Sequence, residues 1–178
     1  LRKLIIALVA LGFAAGCSAP VETPAQPAPI TPAALDASSE APAVVPATLK
    51  FTGKTIDGAS FDAATLAGKP AILWFWAPWC ATCASEAQSI SDLHDEYADR
   101  LNILGIAGLG ENKAMHEFVS DLEVGKVTHL DDQAGAIWKR FKITQQSWYV
   151  FLDKRGTVVK TGYLDDLQLT NEVKTLVA

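Results

Sequence analysis

With 178 residues, 49% of them hydrophobic, and a formal net charge of −5, the chain has room for one ordinary domain plus extensions. Its 15 Lys and Arg residues form no run or stripe, which argues against a nucleic-acid partner, because phosphate binding needs concentrated positive charge. The three cysteines are Cys17, Cys80 and Cys83, so a C-x-x-C pair leaves no structural disulfide, and a domain of roughly 130 residues must hold its core by burial.

Arg2 and Lys3 precede an apolar stretch from Leu4 to Ala15, the layout of a secretory signal. The stretch falls short of the ~20 apolar residues that span a bilayer as a helix. A plain signal peptide with Cys17 incidental is the simpler reading. The sequence Ala14-Ala15-Gly16-Cys17-Ser18, however, resembles a bacterial lipobox, with Ala14 where Leu is usual. That resemblance implies a signal peptide over residues 1–16, acylation of Cys17, and firm attachment to the cell membrane by several acyl chains.

Residues 17–47 read as a tether. Seven of the nine prolines lie here, among Ala, Thr, Ser and Glu, and no period of 2 or 3.6 survives. Extended at ~3.1 Å per residue, such a segment reaches on the order of 90 Å.

The texture changes at Thr48, and residues 48–178 are assigned to one domain. Leu49–Thr52 and Ser60-Phe61 flank Asp57-Gly58, a hairpin signal. The apolar run Ala71–Trp76 predicts a strand buried on both faces, and Ala81–Asp99 a helix with Ile90, Leu93 and Tyr97 at 3–4 spacing. Strands are expected at Leu101–Ala107, Val127–Leu130, Tyr149–Leu152 and Thr157–Lys160, and helices at Lys113–Leu122, Ala134–Phe141 and about 166–177. This alternation, ending in a hairpin, gives an α/β fold with a mixed sheet covered by helices.

Cys80 and Cys83 fall where the buried strand gives way to the helix. Free N–H groups and the helix dipole there favour a thiolate at Cys80, and two intervening residues bring Cys83 one turn on, within its reach. Cys80 would form the mixed disulfide and Cys83 would resolve it. The competing readings are half of a zinc site, or an inert pair. Structural zinc needs about four ligands, and His94, His116 and His129 lack zinc-site spacing. The three histidines read as surface or satisfied positions.

The stretch Phe75-Trp76-Ala77-Pro78-Trp79-Cys80-x-x-Cys83 resembles the active site of thioredoxin-like proteins, in particular the extracytoplasmic TlpA/ResA/DsbE-like group. Asp57-Gly58 and Leu66-Ala67-Gly68-Lys69-Pro70 are similar to that group's N-terminal hairpin and entry to its first core strand. With Trp74 in place of an acid, the chain is similar to the actinobacterial DsbE/DsbF-like branch. The resemblance implies a thioredoxin fold, with a mixed central sheet flanked by helices and an N-terminal β-hairpin. It also implies exchange with protein thiols or disulfides outside the cytoplasm, and a membrane redox partner that recycles the site. No cofactor is expected beyond the Cys80–Cys83 disulfide.

Three departures stand out. Ser147 falls where thioredoxins place a cis-proline, which alters the docking edge or the redox potential. Trp74 replaces the buried acid, and Ala81 replaces a proline often found after the first cysteine. Glu86, three after Cys83, matches a Glu of the ResA-like proteins that serves there as a proton acceptor; the plainer reading is a first-turn Glu favoured by the helix dipole. Trp76, Trp79 and Trp148 are expected near the disulfide, with Trp79, Ser147 and Trp148 as docking residues and Trp76 as core. Two other functions compete with the enzyme: a binding lipoprotein that keeps the fold, and a peroxidase. The latter needs Thr three before its cysteine, where this chain has Ala77.

Overall fold

The computed structural model describes residues 45–178. Cys17, the signal segment and the tether up to residue 44, as expected from the sequence, therefore lie outside the described residues.

Strands β1 (Thr52–Thr55) and β2 (Ser60–Asp62) form the expected hairpin, pairing Gly53 with Phe61. Gly58 turns it with a φ of 84°, a conformation that glycine adopts without a Cβ penalty. The expectation that Leu49–Phe51 belongs to the strand fails. Residues Ala47–Leu49 instead form a 3-10 turn that drives Leu49 into the interior, and burial of that side chain prevails over strand pairing.

Next come β3 (Ala71–Trp76), α1 (Ala81–Tyr97), β4 (Asn102–Ala107), α2 (Asn112–Asp121) and β5 (Thr128–Asp131). The chain ends with α3 (Ala136–Arg140), β6 (Trp148–Leu152), β7 (Val158–Gly162) and α4 (Asp166–Leu176). From β3 onward each expected strand or helix is present, with ends shifted by at most two residues, as at the start of the short α3. There Gly135 takes a φ of 69° and Asp132 accepts the backbone N–H groups of Ile137 and Trp138, so the helix cannot start at Ala134.

The seven strands form one sheet in the order β2-β1-β5-β4-β3-β6-β7. β3, β4 and β5 run parallel, while β6 is antiparallel to β3 and β1 to β5. All six residues of β3 are buried, because the sheet has a core on each face. Trp74, Trp76, Tyr149 and Phe151 face α1, α2 and α4, together with Ile90, Phe118 and Leu169. Leu73, Phe75, Val150 and Leu152 face Leu49, Ile137 and Trp138.

This topology defines two edges. The C-terminal ends of β3, β4 and β5 share one edge with Trp148, where β6 begins. At the other, Ala71 of β3 stands beside Leu152, the end of β6. There Thr48 donates to the Gly156 carbonyl at 2.6 Å, and Pro46 lies against Gly156 in the turn between β6 and β7.

Candidate active site

The turn Ala77-Pro78-Trp79 carries the chain from β3 to Cys80, whose N–H donates to the Ala77 carbonyl at 3.1 Å. Cys80 occupies the N-cap of α1 with an extended backbone, φ −86° and ψ 108°, where Ser, Thr or Asp commonly accepts a backbone N–H. Here the sulfur takes that role: the Cys83 N–H donates to Cys80 Sγ at 3.0 Å. The two cysteines are joined as a disulfide with a Cα–Cα separation of 5.2 Å. Cys80 retains 5% exposure and Cys83 none, so the pair is asymmetric in access. A sulfur at a helix N-terminus with a donated N–H is stabilised as a thiolate once the disulfide opens.

Glu86 lies one turn after Cys83 on the same buried face of α1, with 3% exposure. It lies beyond the first turn of α1, which holds no acidic residue, and so is not the first-turn Glu of the plainer reading. Ser147 Oγ donates to its Oε1 at 2.5 Å and Trp74 Nε1 donates to its Oε2 at 2.9 Å. Burial raises the pKa of this carboxyl, while the Ser147 and Trp74 donors oppose the rise and the charge of Asp166 on α4 adds to it. The Tyr149 hydroxyl is buried without a hydrogen-bond partner, close enough to Glu86 that the carboxylate, after burial itself, raises its pKa. Trp74 thus does more than displace a strand acid. Its indole holds an acid that comes from the helix instead.

The other expected residues divide. Trp79 is 60% exposed beside Cys80, and its Nε1 donates to the Leu109 carbonyl at 2.7 Å across the β4–α2 loop. Ser147 is buried with a φ of 58°, and no peptide bond among the described residues is cis. Trp148 begins β6 at the active-site edge, but its side chain packs with the cluster on the opposite face from the disulfide, and its Nε1 reaches Thr161 Oγ1 at 3.1 Å. Strand alternation requires this, because Tyr149 takes the disulfide side. Trp76 is fully buried core, stacked on Phe118 at 4.3 Å.

Two features escaped sequence reasoning. Trp76 Nε1 donates to His129 Nδ1 at 3.1 Å, and the other ring nitrogen of His129 lies 3.2 Å from the Val124 carbonyl. Burial pushes the pKa of His129 down to about 4, so the ring is neutral, with its proton on Nε2. Gly105 makes room for this bond: a Cβ there would stand 2.0 Å from His129 Nδ1. The second feature is Tyr149, whose hydroxyl was hidden inside an apolar strand pattern.

Residues 45–161 match the AhpC/TSA family. The soluble secreted antigen MPT53 of Mycobacterium tuberculosis is 42% identical over 109 residues, 61% of this chain and 62% of that protein. The chain thus spans about three fifths of the length of that relative. Thiol-disulfide oxidoreductase ResA of Oceanobacillus iheyensis is 25% identical over 132 residues, 67% of this chain and 68% of that protein. Among solved structures, MTB DsbF in mixed oxidised and reduced forms superposes with a TM-score of 0.70 at 42% identity, covering 74% of this chain and 98% of that one. A secreted Mycobacterium tuberculosis disulfide oxidoreductase homologous to E. coli DsbE gives 0.66 at 38% identity, covering 72% and 98%. With its thioredoxin-like fold and its Cys80–Cys83 pair, the chain belongs to the AhpC/TSA family.

Proposed function

We propose that this chain is an extracytoplasmic thiol–disulfide oxidoreductase acting on protein thiols and disulfides. The observation that carries the reading is the Cys80–Cys83 disulfide set at the start of α1, with the Cys83 N–H on Cys80 Sγ. Cys80, the more accessible sulfur, forms the mixed disulfide with substrate; Cys83 resolves it; Glu86 exchanges the proton of the Cys83 thiol. Trp79 offers an exposed aromatic face beside Cys80 for a substrate segment. Ser147 and Trp148 contribute to the docking edge through the backbone at the start of β6. Ala77, buried and without a hydroxyl, stands where a peroxidase site needs Thr, which disfavours that alternative.

The chain acts, in this reading, as an oxidant of secreted proteins, held to the cell membrane by lipid at Cys17 and recycled by a membrane redox partner. The secretory pattern ahead of Cys17 and the secreted mycobacterial relatives support that location. Reduction in cytochrome c maturation or isomerisation is the alternative direction, favoured by the Glu86 position shared with ResA-like proteins.

The test is the reduction potential of the full chain, followed by tryptophan fluorescence across glutathione ratios. A value of ~−120 to −180 mV is expected for an oxidant, and ~−270 mV or below marks a reductant. A pair that shows no two-electron transition refutes the enzyme reading altogether.

A further inference from the structure

Ser147 is the residue that the fold explains least by packing. It sits in the left-handed region, φ 58°, where a residue bearing a Cβ is held at a cost, yet its side chain is buried rather than turned to solvent. Its hydroxyl spends its proton on one atom, Oε1 of Glu86. Trp74 Nε1 takes the other oxygen. With one donor on each oxygen, from β3 and from the residue just ahead of its antiparallel neighbour β6, the carboxylate is fixed in rotation about its own axis.

We propose that Ser147 is a positioning residue for disulfide exchange: with Trp74, its hydroxyl holds the Glu86 carboxylate in the orientation from which it trades a proton with the Cys83 thiol. The inference rests on the reading of Glu86 as the proton acceptor of the pair. When the reduced chain acts on a disulfide, Cys80 thiolate attacks a substrate sulfur and the first substrate thiolate leaves. Cys83 then gives its proton to Glu86, and its thiolate attacks Cys80 Sγ. The Cys80–Cys83 bond forms, the bond from Cys80 to the substrate breaks, and its electron pair leaves on the second substrate sulfur. The substrate has gained two electrons and the pair has lost two. In the opposite direction, a substrate thiolate attacks Cys80 Sγ and Cys83 leaves with the electron pair, taking a proton from the Glu86 carboxyl. A second substrate thiolate then closes the substrate disulfide and releases Cys80.

The groups that bear on Glu86 come from three other elements. β3 supplies the Trp74 donor; β6 supplies the Tyr149 hydroxyl, and Ser147 just ahead of it the second donor; α4 supplies the charge of Asp166. Tyr163, just after β7, acts on Tyr149 and so on this cluster from farther off. Of these, Ser147 and Trp74 favour the ionised carboxylate by direct donation, and Asp166 opposes it. Removing the Ser147 hydroxyl therefore makes Glu86 harder to ionise.

The deciding variant is Ser147→Gly in the full chain, because glycine accepts the left-handed backbone while the hydroxymethyl group, and with it the donor to Glu86, is lost. The measurement is single-turnover reduction of insulin by the pre-reduced protein from pH 4 to 9 (about this range spans the carboxyl and thiol limbs), with thermal unfolding of the same sample. The limb that Glu86 governs is expected to move up by about one pH unit, a tenfold loss of rate below it, while a cooperative thermal transition shows that the protein is folded at the assay temperature. Trp74→Phe should move the limb the same way. Glu86→Gln must abolish it; if that variant keeps the wild-type profile, the reading of Glu86 falls and this inference with it. If Glu86→Gln abolishes the limb but Ser147→Gly leaves it in place, Ser147 is structural only and the inference alone is overturned. Should Ser147→Gly fail to fold, Ser147→Ala, which keeps the backbone preference of the native chain, answers the same question.

Discussion

At the scale of single residues, the unequal access to two sulfurs three positions apart is what assigns each cysteine its part in the proposed exchange. Cys80 keeps a sliver of exposure and Cys83 has none, so an incoming thiol meets Cys80 first. A Cys83→Ser variant is accordingly expected to accumulate mixed disulfides with reduced, unfolded protein after mild oxidation, visible on a non-reducing gel, whereas Cys80→Ser accumulates few or none. The C-x-x-C pair stands out by its spacing at the strand-to-helix junction, whereas Glu86 stands out only through its match to a Glu of the ResA-like proteins and by pattern counts among the polar positions of the helix. The partners of Glu86 were not legible in the sequence. Ser147 lies 61 positions away and its role emerges only when β6 is laid beside β3. Ser147 was noticed as a missing proline; what it does with its hydroxyl is a property of the packed chain. Trp148 was read as a neighbour of the disulfide because it follows Ser147, yet a strand sends successive side chains to opposite faces.

At the scale of elements, sequence patterns located the strands and helices well because burial imposes period. β3 is apolar throughout since both its faces are covered, and α1 shows its stripe at Cys83, Glu86, Ala87, Ile90, Leu93 and Tyr97. Glu86 falls inside that stripe and not among the polar positions where the pattern places it. The register between strands was beyond the pattern. It sets Trp74, Gly105 and His129 side by side across β3, β4 and β5, so that the Trp76 indole reaches over Gly105 to His129. Gly105 thereby leaves no room for a side chain. A Gly105→Ala substitution must displace His129 and break its bond with Trp76, and is expected to destabilise the fold by about 3 kcal/mol, measured by urea unfolding. Alanine would otherwise be the better strand residue, which makes the sign of the effect diagnostic.

For the molecule as a whole, the same buried histidine sets a dependence of stability on pH. Its pKa is about 4 in the fold, against 6.5 for the free ring, so between those values the unfolded chain binds a proton that the folded chain refuses. The stabilisation is complete above about pH 6.5 and declines below it, by about 1.4 kcal/mol per pH unit until about pH 4. Urea unfolding at neutral and acidic pH, compared with His129→Gln, isolates the effect: the variant should show a shallower loss. Strand order and the two-sided core were expected in outline as a mixed sheet with helices, but which edge each terminus occupies was not, because chain entry is fixed by long-range contacts such as that of Thr48 with Gly156. That contact has a consequence for how the protein presents itself. The residues leading into the domain arrive at the corner where β6 ends, while the cysteines open at the edge where β6 begins. Whatever is joined to the domain through Val45 is thereby kept clear of the corner where Cys80 opens, and leaves that corner free for an incoming thiol.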